Sequence, residues 1–340
     1  MSTSLTARLS LGFTLLLVIV ITALFLIFID VEEVSVQLRH ANPGYLALAT
    51  ILLLAGYSVY ALRWQLLLDR IPSLPATFHA SNLGHLLNML LPLRLGEPLR
   101  IVALNRSSEA GVGQITSSVV IERMLETVLR LAAFGGMLAI GVGFSNSPGI
   151  LAGLGVFLVG VLVVLVWMVK NREMVLQRWP AYLGRIPRLS QDRLYQSLSD
   201  LLDALVSMSS PRSLALGFLT STIAATFFLG FHYFVLLALD FPLTQTQMLA
   251  LSLGILVIAP PSAPTMPGIY HAQIVLPFAA LGVPGSALAA YAIVLHALQT
   301  VMVVGLGAWA LYKTGASLGD LIRRRQPVAV PVAIDPPSQD

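Results

Sequence analysis

The stretch NMLLPLRLGEPLR, residues 88–100, sets two arginines, a glutamate, two prolines and a glycine inside a segment otherwise apolar enough for a bilayer. A charge at bilayer depth costs at least about 2.5–3.5 kcal/mol on insertion scales, so Arg94, Glu97 and Arg100 are expected to face a protein interior or a water-filled cavity. Pro92 and Gly96 break the helix, and lipid tolerates a break only where the freed backbone groups find partners. A broken, charged segment of this kind, opening at Asn88, is a candidate binding site for a polar group.

Working outward, 56% of the chain is hydrophobic and 11% charged, with a mean hydropathy of +0.83. Soluble domains carry roughly 25% charged residues, so the composition is that of an integral membrane protein. The net charge of +4 does not point to nucleic acid, because the basic residues lie between apolar spans. The chain has no cysteine, which excludes disulfides, thiolate metal sites and cysteine nucleophiles.

Spans are predicted at 11–29, 44–62, 115–143, 149–169, 213–238 and 286–312, the first read as a retained anchor. Two further apolar stretches, 78–100 and 246–282, are interrupted by Pro and Gly and read as broken or re-entrant helices. Arg63, Arg70, Arg106, Lys170, Arg172, Arg178, Arg212 and Lys313 fall on one side of these spans, with Arg39, Asp30, Glu32, Glu33 and Asp240 opposite. That asymmetry predicts cytoplasmic termini.

The order span, span, broken segment, span then occurs twice, starting from opposite sides. It predicts an all-α membrane protein of six full helices and two broken segments, in inverted halves 1–143 and 149–312. Simple proline-kinked helices are the alternative. Leucines 189, 194, 198, 201, 202 and 205 recur at helical spacing, so the loop 170–212 is expected to lie as an amphipathic helix on the membrane or against the bundle. The tail 316–340 is Pro-rich and expected to be disordered.

A second charged set lies in VVIERMLETVLRLAAF, residues 119–134. Glu122, Arg123, Glu126 and Arg130 stand three and four apart, so they can pair along one helix. They either neutralise one another and pin the packing, or line a cavity for a charged head group. Guanidinium forks suit phosphate, and broken-helix ends add free backbone N–H groups. In the second broken segment, Pro261, Pro264 and Gly268 precede His271, which either binds a head group or is satisfied within the bundle. His232 and His296 read as packing residues, and Trp64 as an interfacial anchor. No metal-binding spacing, acidic cluster or nucleotide loop occurs, so no metal or cofactor is expected.

These residues resemble the lysylphosphatidylglycerol synthase transmembrane-region family of flippase-like membrane proteins. The resemblance rests on Arg63-Trp64, then Asn88, Pro92, Arg94, Gly96, Glu97 and Arg100, then Glu122-Arg123 with Glu126, and last the turn ending at Gly268 before His271. It implies an inner-membrane protein that binds or moves a phosphate-bearing lipid, whether anionic, aminoacylated, polyprenyl or glycosylated. On this reading Asn88, Arg94, Glu97, Arg100, Glu122, Arg123, Glu126, Arg130 and His271 bind substrate, and Pro92, Gly96, Pro261, Pro264 and Gly268 gate. No soluble aminoacyl-transferase domain follows residue 315, so lysyl transfer is not expected of this chain. The alternatives are a membrane-embedded enzyme acting on lipid phosphates, with Ser262 and His271 as its candidates, and an accessory subunit partnering a lipid-modifying enzyme.

Overall fold

The computed structural model describes residues 36, 39–90, 96–140, 156, 160, 163, 167, 170–183, 195, 199, 211–259 and 268–314. Nine helices lie among them, and no strand. In chain order they are α1 (Pro43–Leu67), α2 (Leu74–Leu90), α3 (Gly96–Ser107), α4 (Val112–Ala139), α5 (Arg172–Leu183), α6 (Pro211–Ala238), α7 (Gln245–Ile258), α8 (Ile269–Ala280) and α9 (Gly285–Thr314).

α1, α6 from Arg212, and α9 are long and apolar enough to cross a membrane. Their outer faces carry bare apolar side chains, with Ile51 63% and Val301 73% exposed, a surface suited to lipid. α4 has 28 residues, about 42 Å at 1.5 Å per residue, but carries four charges along its middle. α7 and α8, with 14 and 12 residues, reach only about 21 and 18 Å, short of the roughly 30 Å hydrocarbon core. Each interrupted stretch is thus two helices: 78–100 falls in α2 and α3, and 246–282 in α7 and α8.

α1 and α6 form an antiparallel pair fastened at both ends. Asn42 begins α1, its Oδ1 accepting from Gly44 N at 2.9 Å, while its own N–H donates to Ala238 O at 2.7 Å, at the far end of α6. At the other end Ser213 Oγ donates to Asp69 Oδ1 at 2.9 Å. Between these ties the helices close in over Gly56, where a Cβ would overlap the ring of Phe228. Apolar helices have no hydrophobic reason to associate in lipid, so such close backbone contact supplies the packing. The main core joins α1 and α6 to α7, α8 and α9 through Leu53, Phe231, Ile255, Ile274 and Leu288. A smaller one, with Trp64, Leu68, Ala80, Leu104 and Ile115, gathers α1, α2, α3 and α4.

The predicted spans 11–29 and 149–169, the leucine-patterned part of the 170–212 loop and the tail 316–340 fall almost entirely outside the described residues. One expectation is corrected. α1 does not stop at 62 but runs through Leu67, so Arg63 and Trp64 are helical and buried, at 1% and 0% exposure, rather than a loop charge and an interfacial anchor. The apolar sequence resumes with Leu66-Leu67-Leu68, so the helix gains burial by continuing past the arginine.

Candidate functional site

Three helices bring seven charged side chains together. α1 supplies Arg63; α3 supplies Glu97 and Arg100, three apart; α4 supplies Glu122, Glu126 and Arg130, four apart on one stripe, with Arg123 beside them. Glu122 lies between two guanidinium groups, Arg63 at 2.9 Å and Arg100 at 2.7 Å. Glu97 bridges Arg100 and Arg123, each at 2.9 Å. Glu126 receives Arg63 at 3.1 Å, Arg123 at 2.7 Å and Arg130 at 3.7 Å. The two charged sets read from the sequence therefore meet in one continuous network.

The neighbours of these groups explain how they are held. Asn88 Oδ1 accepts the backbone N–H of Gly96 at 2.8 Å and so fixes the start of α3 against α2. A Cβ on Gly96 would overlap the carbonyl oxygen of Gly84, and one on Gly84 would meet the Arg100 stem at 2.9 Å. Both glycines are needed because α3 crosses α2 at backbone contact, which aims Arg100 across the gap at α4. The Arg100 guanidinium lies 4.6 Å from the centre of the Trp64 ring, and that of Arg63 lies 4.1 Å from Tyr60, so each cation also rests on a π face. Trp64 Nε1 donates to Ser118 Oγ at 2.8 Å, which locks the indole to α4. Arg63 Nη1 donates to Ser221 Oγ at 3.4 Å, which ties the network to α6.

The network is graded. Arg63, Arg100, Glu122 and Glu126 are 1–6% exposed, whereas Arg123, Arg130 and Glu97 are 28–35% exposed. The inner four balance, two cations against two anions. The outer three hold two guanidinium groups against one carboxylate, and among the described residues Arg130 has only its long contact to a carboxylate that Arg63 and Arg123 already use.

Of the residues expected to bind or gate, Asn88, Gly96, Glu97, Arg100, Glu122, Arg123, Glu126 and Arg130 gather here. Arg94, Pro92, Pro261 and Pro264 lie outside the described residues. Gly268 begins α8 at a φ of 82°, a left-handed value that favours glycine. His271 joins a different group: its ring lies 5.1 Å from His296, which stacks on Tyr270 at 5.0 Å. His296 is therefore not a lone packing residue. The sequence reading missed Arg63 as a site residue, together with its supports Tyr60, Ser118 and Ser221. The available signal was Arg63 standing between the apolar run that ends at Leu62 and the leucines 66–68, where a charge needs a buried partner. Among the described residues no group of three His, Cys, Asp or Glu could hold a metal ion.

Residues 14–307 match the family model of the lysylphosphatidylglycerol synthase TM region. No curated protein and no solved structure matches the chain. With most of its length inside that match, and apolar helices long enough to cross a bilayer, the chain is a multi-pass membrane protein belonging to the lysylphosphatidylglycerol synthase TM-region family, which is tied to lipid handling.

Proposed function

We propose that this chain is a non-enzymatic lipid translocator of the inner membrane, taking the phosphate of a lipid head group at the Arg123–Arg130 edge of the Arg–Glu network. The carrying observation is the gradient across that network: a balanced, dry interior and an accessible edge with one cation in excess among the described residues. An anion arriving there meets the planar fork of Arg130, able to bind phosphate oxygens in pairs, beside that of Arg123, which Glu97 and Glu126 hold at 2.9 and 2.7 Å. Arg130 gives up little to receive it, since its contact at 3.7 Å is long and shared. The inner Arg63–Glu122–Arg100 bridge serves as the pin that keeps α1, α3 and α4 in register while the edge exchanges partners.

The helix pairs α2–α3 and α7–α8 are each too short to act as two full spans, which supports reading them as hairpins that gate from opposite leaflets. In that arrangement the halves 1–143 and 149–312 are inverted repeats with the head-group path between them and both termini in the cytoplasm. The test is lipid exchange in proteoliposomes containing fluorescent phosphatidylglycerol, followed by dithionite quenching. Arg130→Ala should retain a monodisperse size-exclusion profile and lose at least about tenfold in exchange rate, a change of roughly 1.4 kcal/mol in the barrier. Arg130→Lys should also be slowed, because an ammonium keeps the charge without the fork. Wild-type exchange by well-folded Arg130→Ala and Arg123→Ala proteins would remove the head-group role of this edge.

A further inference from the structure

A second polar site lies in the contact between α8 and α9. Gln299 is the fifteenth of the thirty residues of α9, halfway along a helix long enough to cross a membrane, and it is fully buried. Its Nε2 donates to the Tyr270 hydroxyl at 3.0 Å. Its Oε1 is buried and accepts no hydrogen bond among the described residues. The Tyr270 hydroxyl accepts from Gln299, and its own proton reaches no acceptor among the described residues. An open acceptor and an open donor thus lie side by side near mid-bilayer depth, where each unsatisfied group costs several kcal/mol. Reversing the amide does not remove the problem: the phenol would then donate to Oε1 and leave Nε2 open.

The surroundings narrow what would satisfy the pair. The imidazole of His296 stacks on Tyr270, and His271 is set edgewise to His296. His271 is half-buried and offers the approach from the surface. A hydroxyl group both donates and accepts, so one hydroxyl answers both open positions, whereas a phosphodiester cannot donate to Oε1 and an ammonium cannot accept from the phenol.

We propose that Tyr270 and Gln299 form a recognition site for a hydroxyl of an uncharged lipid head-group moiety, glycerol-like or sugar-like. The site stands apart from the Arg–Glu edge and does not depend on it. The full chain in phosphatidylcholine nanodiscs would be titrated with a short-chain glucosyl diacylglycerol and with its per-O-methylated counterpart. The hydroxylated probe should bind about tenfold tighter, as expected for two neutral hydrogen bonds. The double variant Tyr270→Phe/Gln299→Leu replaces both partners by apolar groups of similar shape, a change that leaves stability nearly unaltered. It should lose that preference while binding phosphatidylmethanol, a phosphodiester with no hydroxyl, as wild type does. Gln299→Met alone carries the decision should the double variant fold poorly. Equal binding of the two probes by wild type would overturn the proposal and leave a buried water as the occupant. A preference that persists in a folded variant would overturn it as well.

Discussion

Replacing Glu122 by Gln tests whether the inner part of the network is a structural pin. The substitution keeps the size of the side chain and removes the charge between Arg63 and Arg100, which it contacts at 2.9 and 2.7 Å. Both guanidinium groups are at least nine-tenths buried, so water cannot take the place of the lost carboxylate. Breaking a buried pair costs about 3–5 kcal/mol. The lower end applies here, because Arg63 retains Glu126 at 3.1 Å and Arg100 retains Glu97 at 2.9 Å. A loss of about 3 kcal/mol lowers the folded-to-unfolded ratio by a factor on the order of 10². The matching control is Arg130→Ala, which removes a half-exposed 3.7 Å contact and should cost under about 1 kcal/mol. Both variants would be unfolded in mixed micelles of detergent and dodecyl sulfate, with tryptophan fluorescence as the signal. A third protein, Arg63→Met/Arg100→Met/Glu122→Leu, removes the pin whole and leaves Glu97, Arg123, Glu126 and Arg130 in balance. It should recover most of the stability, since apolar replacement of a buried ion group is often neutral. Equal unfolding midpoints for Glu122→Gln, Arg130→Ala and wild type would refute the distinction between a dry pin and a working edge.

Other outcomes follow from the same geometry. Gly96→Ala forces a Cβ onto the Gly84 carbonyl and should destabilise by about 1–3 kcal/mol, read in the same unfolding titration. Trp64→Phe keeps most of the ring but deletes the donor to Ser118, for a loss of about 0.5–1.5 kcal/mol without a change in expression. Fusions placed after Thr314 should report a cytoplasmic end, fluorescent with a fluorescent protein and inactive with alkaline phosphatase; an active phosphatase there would break the inverted-halves reading.

Much of the fold is legible because bilayer insertion demands long apolar runs. α1, α6 and α9 are membrane-length apolar helices at three of the predicted spans, α4 is a helix over most of 115–143, and α2–α3 and α7–α8 are separate helices in the two interrupted stretches. The charged sets on α3 and α4 are legible for the same reason, as exceptions that need partners. Arg63 is harder to read. A twenty-residue apolar window closes just before it, and its carboxylate partner Glu122 lies 59 residues further on, a separation no local spacing reveals. Gly96 is legible as a helix breaker, but its closer task, letting α3 touch the backbone of α2, depends on a neighbour that only the folded chain supplies. Tyr270 and Gln299 stay hidden because both are uncharged; their significance comes from an amide oxygen with nothing to accept among the described residues.

The distance along the chain between Arg63 and its carboxylates has a consequence for biogenesis. At about 5–20 residues per second, Glu122 leaves the ribosome roughly 3–12 s after Arg63. During that interval α1 is already apolar enough to enter the membrane, yet its arginine has no counter-ion. Arg63 lies four residues from the end of α1, about 6 Å, close enough for a long side chain to reach the head-group layer while it waits. Docking of α4 should then draw the cation inward, and α6, which contacts Arg63 through Ser221 and ties to Asn42 and Asp69, should close the assembly. A truncated nascent chain ending before α4 should therefore carry Arg63 at the membrane surface, and the same residue should become buried only once α4, with Glu122 and Glu126, has been translated.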